Sequence, residues 1–183
     1  MAELEDYSGQ FDPEFEHAKL SKETLLKLLN TYNQYMLRID GYWYLNVMDK
    51  WGNDEAFECD LRVWEKAQPW EMKNVSEVLN IHGDDVATLM KYLQVSPWMW
   101  IYSSTIDLKN PRHGEITIHH CPTLISLEKE GSGREELICQ GLEPKIMSIM
   151  AHFFNPDIQA IPLKVPPRRT YNDCCCKWEF RLD

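Results

Sequence analysis

The carboxyl-terminal segment CCCKWEFRL, residues 174–182, decides how the second half of the chain is interpreted. Apolar and polar side chains alternate along it, and a period of two predicts a β-strand. We expect the apolar face of that strand to lie against the core, with the two outer cysteines pointing inward. The apolar face holds Cys174, Cys176, Trp178, Phe180 and Leu182, and the polar face holds Cys175, Lys177, Glu179 and Arg181.

Three further strands and a helix precede this segment. Residues 98–108 form a β-rich run, and a turn cluster joins them to residues 115–120 as an antiparallel hairpin. A helical stretch is predicted over residues 135–153, where Pro144 either bends the helix or starts a second one. Residues 158–165 are expected to form a strand. The order β-β-α-β-β predicts an α+β fold with a four-stranded antiparallel sheet.

The first half of the chain predicts helices. From Ser21 onward, apolar residues recur at three- and four-residue spacing, as they do on one face of a helix. Asp40 and Gly41 interrupt this pattern, so we expect either a kink or two helices in series. Pro69 is expected to break or bend the chain further on. The later helices are predicted at residues 55–67, 70–79 and 85–93.

These patterns divide the 183 residues into three parts of one compact unit. An acidic arm occupies residues 1–20, and a helical subdomain follows over residues 21–96. The α+β subdomain takes residues 97–183. The helical half is expected to pack on the sheet of the carboxyl-terminal half.

The overall charge excludes several classes of partner. Nineteen Lys and Arg face 29 Asp and Glu, which gives a formal net charge of −10. A nucleic-acid binder needs a basic surface, and an acidic chain has no electrostatic attraction to anionic lipid. No stretch has the roughly 18 apolar residues of a membrane helix, and the acidic start is unlike a secretory signal. The sequence predicts a cytoplasmic protein without nucleic-acid or membrane partners.

Six cysteines are the most informative chemical feature, because their number is too small for a disulfide scaffold. If residues 115–120 form a strand with its isoleucines inward, His120 also points inward. On the following helix, Glu135 and Cys139 share the stripe that would pack on the sheet. Together with Cys174 and Cys176, these side chains are predicted to surround one pocket.

Three interpretations of this cluster remain open. Buried free cysteines often act as small apolar side chains of the core. Cys139, Cys174, Cys176 and His120 would alternatively suit zinc or iron, with an open position for a water molecule. Without a metal, Cys139 or Cys176 would act as a nucleophile activated by His120, with Glu135 orienting the imidazole.

Asp40 and four tryptophans complete the candidate residues. Asp40 lies in an apolar stretch, where it either pairs locally or caps a helix, or serves as an acid–base carboxylate with a raised pKa. Aromatic clusters are typical of a core or a dimer interface, and also of a pocket for a flat ligand. The predicted pocket residues are Trp43, Trp98, Trp100 and Trp178.

Residues 133–182 resemble a known kind of domain. In the 4-vinyl reductase-type small-molecule-binding pattern, an acidic residue and a cysteine precede a long helix, and a closing strand has the form C-x-[FW]-x-[FILV]. Here Glu135 or Glu136, Cys139, and Cys174 or Cys176 match those places. The same ending is similar to the L-2-amino-thiazoline-4-carboxylate hydrolase-like group, and residues 39–66 resemble uncharacterised proteins of anaerobic microbes related to that group. The resemblance implies a helix-plus-sheet fold with an apolar ligand cavity, often in a dimer.

The sequence therefore leaves three functional hypotheses. The chain has no glycine-rich phosphate loop, GxSxG elbow, HExxH or GxGxxG. The first hypothesis is an enzyme that transforms a small heterocyclic or carboxylated metabolite, such as a hydrolase, with Cys139, Glu135, His120 and Asp40 as catalytic residues. The second is a non-catalytic small-molecule-binding or sensor domain. The third is an interaction subunit that forms a homodimer.

Overall fold

The computed structural model describes residues 3–183, which divide into two compact units between Tyr42 and Trp43. The predicted subdomain limits at residues 20 and 96 do not coincide with this boundary. Among residues 3–183, no helix is long and apolar enough to cross a membrane.

In the first unit, the amino-terminal segment is attached to the start of the first helix. Leu4 forms an isolated parallel bridge with Leu20, beside a short 3₁₀ turn at His17–Lys19. The Ser21 hydroxyl accepts a hydrogen bond from the Thr24 amide and caps the helix. The acidic arm is therefore bonded to the helix rather than being a free tail.

Two long helices dominate the chain up to residue 79. Helix α1 spans Lys22–Trp51 and runs through Asp40 and Gly41 without interruption. Helix α2 spans Asn53–Leu79 and contains Pro69 in its interior, so the predicted separation into two helices is wrong. Gly52 joins α1 to α2 with a φ of 99°, a conformation that favours glycine.

Two short helices precede the sheet. Helix α3, Val86–Leu93, begins after Asp85, whose carboxylate accepts a hydrogen bond from the Thr88 amide at 2.8 Å. Helix α4, Pro97–Ile101, occupies the place where the sequence predicted the start of a strand. That prediction is wrong because a short apolar run does not distinguish a strand from a helix, and proline favours the first turn of a helix.

The predicted fold class is confirmed by a four-stranded antiparallel sheet. Its strands lie in the order β1-β2-β4-β3, so the carboxyl-terminal strand is central. Ile116 pairs with Trp178, and Ile118 pairs with Cys176. The strands are β1 (Ser103–Asn110), β2 (His113–His120), β3 (Gln159–Lys164) and β4 (Cys176–Arg181).

Between β2 and β3 lie three α-helices and a π turn, where the sequence predicted one bent helix or two helices. Helix α5, Pro122–Glu130, was not predicted. Helix α6, Arg134–Leu137, continues into a π turn at Ile138–Leu142. Helix α7, Glu143–Phe154, then begins with Pro144 in its first turn, so this proline starts a second helix.

The core of the second unit lies between the sheet and helices α2, α3 and α7. Trp178 and Phe180 are fully buried, as the alternation of β4 predicted. Strand β2 approaches α3 closely at Gly114, where a Cβ atom would lie 2.8 Å from Met90 Cε. The sheet face and the helices therefore form one tightly packed core.

Candidate functional site

Three half-buried cysteines of the second unit come from three separate elements. Cys121 precedes α5, and its Sγ accepts a hydrogen bond from the Leu124 amide at 3.4 Å. Cys139 lies in the π turn, and Cys176 is the first residue of β4. A π turn is rare and occurs frequently at functional sites, because it leaves part of the helical hydrogen-bond ladder irregular.

Two carboxylates accompany these thiols. Glu143 begins α7, directly after the π turn, and its charge raises the pKa of each of the three cysteines. Glu135 on α6 also raises the pKa of Cys139. Within residues 3–183, Glu135 Oε2 is buried and has no hydrogen-bond partner. We call Cys121, Cys139, Cys176, Glu135 and Glu143 the thiol cluster.

The electrostatics of the thiol cluster keep the cysteines neutral. Burial is the largest cause, and it raises the pKa of Cys121 to about 12. Burial and the Glu143 charge raise the pKa of Cys139 and of Cys176 still further. Mutual repulsion between thiolates adds to the effect, since the pKa of Cys139 responds to both other cysteines. The cluster is therefore a set of protonated, polarisable thiols beside carboxylates.

The structure brings part of the predicted cluster together. Glu135, Cys139 and Cys176 lie near one another, as predicted. His120 does not join them because it is exposed at the end of β2. The prediction that His120 points inward is wrong, and Cys121 takes the place expected for it.

A β-bulge explains this exchange. Ile118 pairs with Ser104, whereas His120 pairs with Ser103, so strand β2 has one extra residue at His119. An extra residue reverses the alternation beyond it, which turns His120 towards solvent. His119 is also exposed, with its Nε2 2.8 Å from Thr105 Oγ1.

The cysteine triplet departs from the prediction at the start of β4. The strand begins at Cys176, so strand alternation does not place Cys174, which is half-buried before it. Cys175, predicted to face solvent, is only 1% exposed. Its amide donates a hydrogen bond to the Ile118 carbonyl at 2.7 Å, and its thiol donates to the His119 carbonyl at 3.5 Å. The pairing that anchors the loop to β2 therefore buries Cys175.

The loop between β3 and β4 is fixed to the elements that carry the cluster. Arg168 forms a buried bidentate pair with Glu128 of α5. Its Nη1 also donates to the Asp173 carbonyl at 3.2 Å and approaches Cys175 Sγ at 3.8 Å. Gln140 in the π turn donates to the Pro166 carbonyl at 2.8 Å. These contacts hold the loop before β4 against α5 and the π turn.

A metal centre has no preformed ligand set in the part of the chain that the structure describes. Over residues 3–183, no group of three or more His, Cys, Asp or Glu side chains has a geometry that would hold a metal ion. The predicted set fails at His120, which is exposed, and at Cys174, which lies outside β4. Zinc or iron binding stays a prediction.

The four predicted pocket tryptophans occupy different environments. Trp178 belongs to the core, Trp43 is exposed, and Trp98 packs edge-on against Trp64 with ring centroids 4.5 Å apart. Trp100 is half-exposed and lines a shallow open cleft of about 320 Å³. The cleft residues are Leu93, Gln94, Met99, Trp100, Ser104 and Ile106. Of the four tryptophans, Trp100 is thus the one placed at this cleft.

Asp40 belongs to the first unit and is partly buried. Burial raises the pKa of its carboxyl to about 6. Since α1 continues through Asp40, the predicted capping of a second helix does not occur. Asp40 is thus a carboxyl that titrates near neutral pH.

Sequence reasoning missed Cys121 and Glu143. Cys121 precedes Pro122, and a residue before a proline at the first helical position is a frequent cap. Glu143 is instead the first residue of α7, and Pro144 follows it in the first turn. These two prolines were the signals that identify both residues as the starts of helices.

A separate cluster of buried polar side chains lies between α2 and α3. Gln68 donates hydrogen bonds to the Tyr92 hydroxyl and to Glu71 Oε2, both at 2.8 Å. The Tyr92 hydroxyl donates to the same carboxylate oxygen. Burial raises the pKa of Glu71, although these hydrogen bonds oppose the rise. The satisfied contacts of Gln68 and Tyr92 indicate a structural role for this group.

Comparisons with known proteins identify a family without assigning an activity. No curated protein and no solved structure matches the chain. Residues 18–182 match the family of unknown function DUF6125, which covers both the helical half and the sheet. The chain belongs to this family.

Proposed function

We propose that the chain is a small-molecule-binding domain whose ligand contacts the thiol cluster. The observation that supports this proposal is the electrostatic coupling of Glu143 to three half-buried thiols around a π turn. The four side chains come from four different parts of the second unit, which the contacts of the loop before β4 hold together. The resemblance of residues 133–182 to a small-molecule-binding domain supports the same proposal.

The chemistry of the cluster favours a ligand with a cationic or hydrogen-bond-donating group. Glu143 and Glu135 provide carboxylate oxygens that accept hydrogen bonds, and Glu135 Oε2 is unpartnered among the described residues. The neutral thiols provide a soft, weakly polar wall that suits a planar ring. An amidine or a protonated amine on a small heterocycle combines both properties. The 2-aminothiazoline ring belongs to this class.

Binding fits the electrostatics better than nucleophilic catalysis does. A cysteine attacks as its thiolate, so its nucleophilicity depends on the pKa. With a pKa of about 12, Cys121 is deprotonated in only about one molecule in 10⁵ at pH 7. The pKa values of Cys139 and Cys176 are higher still. Hydrolysis therefore stays a prediction that needs a thiol-activating change on substrate binding.

Calorimetric titration with 2-amino-2-thiazoline tests the proposal. We expect saturable binding to the wild-type protein and at least tenfold weaker binding to Glu143→Gln, because the neutral amide no longer pairs with the cation. Cys59→Ser is the matched control, since Cys59 is an exposed cysteine outside the cluster, and its affinity should equal that of the wild type.

Two results would contradict the proposal. The first is equal affinity of the wild type and Glu143→Gln, which would place the ligand elsewhere. The second is chemical conversion of 2-amino-2-thiazoline, which mass spectrometry of the same mixture would detect. Such turnover would show that the protein is an enzyme. Loss of that turnover in Cys139→Ser would then identify the nucleophile.

A further inference from the structure

The first unit exposes an apolar face along α1. Leucines occupy its amino-terminal end, and tyrosines and an isoleucine occupy the rest. Tyr35 is 63% exposed and Ile39 is 51% exposed. We call this face the α1 stripe; its residues are Leu25, Leu28, Tyr32, Tyr35, Ile39 and Tyr42, of which Leu28 is half-buried.

In this unit α1 differs from an ordinary surface helix, because its apolar stripe is exposed like its charged side chains and two of its polar side chains are covered. Such a helix buries its apolar stripe and exposes its polar side chains. Here Asn33 is only 6% exposed, and Asp40 is partly buried. Tyr32, Tyr35 and Ile39 are exposed instead. The α1 stripe is therefore not explained as a solvent face of an isolated chain.

The spacing of the stripe is that of a coiled coil. Its six residues follow one another at intervals of three, four, three, four and three. This alternation places them at the a and d positions of successive heptads, which meet an equivalent seam on another helix. Ordinary surface patches have no reason to keep this register over 18 residues.

From the register, the exposed area and the charge, we propose that the α1 stripe pairs with the α1 stripe of a second copy of this chain. The half-exposed tyrosines, leucine and isoleucine expose about 600 Å² of surface, most of it apolar. A standard dimer buries roughly 800 Å² on each partner, of which about 65% is apolar. The apolar area of the stripe is therefore sufficient for a stable dimer of this size.

The charge of this segment also favours a second copy. The whole chain carries −10, so most faces of two copies repel one another. The arm over residues 3–21 holds six anions and one cation, whereas residues 22–42, which carry the stripe, hold three cations and two anions, a net charge of +1. The near-neutral segment is thus a place where two acidic copies approach without strong repulsion.

The stripe is complementary to itself when the two helices are antiparallel. In that arrangement Leu25 meets Tyr42 of the partner subunit, and Leu28 meets Ile39 of the partner subunit. Leu25 then faces a larger tyrosine, Leu28 faces a side chain of equal size, and the helix dipoles oppose one another favourably. A parallel pair would instead place Tyr42 against its own copy.

Sedimentation equilibrium of the full chain tests the dimer. We expect wild-type protein to form a dimer at micromolar concentration and Tyr35→Glu to associate at least 100-fold more weakly, because the stripe then places two like charges at its centre. Val78→Glu is the matched control, since Val78 is an 82% exposed residue of α2, and it should dimerise like the wild type.

Circular dichroism of Tyr35→Glu should retain the wild-type helix signal, which separates loss of the dimer from loss of the fold. A wild-type monomer at 100 µM would overturn the proposal and leave the stripe for a partner of another sequence. Unchanged dimerisation of Tyr35→Glu would overturn it as well.

Disulfide cross-linking in a Cys59→Ser background tests the orientation. A mixture of Leu28→Cys and Ile39→Cys proteins should form mixed cross-linked dimers. Leu28→Cys alone should remain uncross-linked, because the two copies of residue 28 are far apart in an antiparallel pair. The reverse pattern would overturn the antiparallel arrangement.

Discussion

The part of helix α1 in the first unit and strand β4 in the second unit both carry regularly spaced apolar side chains and use them differently. In β4, Trp178 and Phe180 are fully buried by the helices of their own unit. In α1, Tyr35 and Ile39 are exposed. The contrast teaches that the apolar pattern of β4 is satisfied within one chain, whereas α1 in the first unit has an apolar pattern that a second chain would satisfy.

The largest expected effect concerns this difference in burial. We expect Trp178→Ala to lower the free energy of unfolding by about 3–5 kcal/mol, because it removes a fully buried aromatic ring and leaves a cavity. Tyr32→Ala, at a concentration where the protein is monomeric, should lower it by less than about 0.5 kcal/mol.

Urea denaturation followed by circular dichroism measures both values. Equal decreases in unfolding free energy for the two variants would contradict the comparison, because Tyr32 would then be packed as tightly as Trp178. If Tyr32→Ala lowers the unfolding free energy only at high protein concentration, the comparison is supported, since burial of Tyr32 would then require a second copy.

Ion pairs provide the second contrast. Arg168 and Glu128 form a buried pair, and Arg168→Ala leaves Glu128 without its partner. We expect this substitution to cost about 3 kcal/mol of unfolding free energy. Lys27 pairs with Glu23 on the surface of α1, and Lys27→Ala should change the unfolding free energy far less, because both charges remain in water.

Thermal unfolding of the two variants at low and high salt checks this prediction. Salt should weaken the Lys27–Glu23 contribution and leave that of Arg168 nearly unchanged, since buried charges are little screened. An Arg168→Ala protein as stable as the wild type would show that the loop before β4 does not depend on this pair.

The sequence predicted the packing of the second unit better than its connections. Alternation in residues 174–182 gave the buried face of β4 from Cys176 onward, because a strand with one covered face is specified by its own side chains. The apolar run of α4 was ambiguous, since its five residues are too few to show a period. Helix α5 was missed for a similar reason, because it is a short segment.

The candidate site could be predicted only in part because it depends on pairing between distant strands. The bulge opposite Ser103 and Ser104 turns His120 outward, and nothing in residues 115–120 alone reveals it. The placement of Cys175 depends on contacts with Ile118 and His119, which lie more than 50 residues earlier. Glu135, Cys139 and Cys176 were placed from local spacing alone, because Glu135 and Cys139 lie four residues apart and Cys176 alternates with Trp178 and Phe180.

Asp40 gives a third, smaller effect that depends on pH. Burial raises the pKa of its carboxyl from 3.8 to about 6, so the folded state binds a proton more tightly than the unfolded state does. The contribution of Asp40 to stability is therefore complete below about pH 4 and is lost as the pH rises through 6. The full shift corresponds to about 3 kcal/mol, and partial exposure reduces the expected loss to about 1–2 kcal/mol.

Asp40→Asn removes this dependence. At equal protein concentration, we expect the variant and the wild type to have equal unfolding free energies at pH 4. At pH 7 the variant should be about 1–2 kcal/mol more stable, because it has no charge to bury. A variant that is less stable at both values would show that the Asp40 carboxylate makes a favourable contact.

The smallest expected effect compares two glycines. At Gly114 an added Cβ would lie 2.8 Å from Met90 Cε and 3.2 Å from Met90 Cγ, so Gly114→Ala forces the Met90 side chain to move. We expect a loss of about 1 kcal/mol of unfolding free energy. Gly41 lies inside α1, and an added Cβ there meets no atom within 4 Å. Gly41→Ala should raise the unfolding free energy by about 0.5–1 kcal/mol, since alanine favours the helix.

Urea denaturation of both variants measures the two changes in unfolding free energy. Opposite signs of these changes would show that Gly114 is closely packed and that Gly41 is not. If Gly41→Ala were destabilising, the surface of α1 at Gly41 would be covered in solution. Repeating the measurement in the Tyr35→Glu background shows whether Gly41 is covered by a second copy or by the same chain. A loss that disappears there would come from the second copy, whereas a loss that persists would come from within one chain.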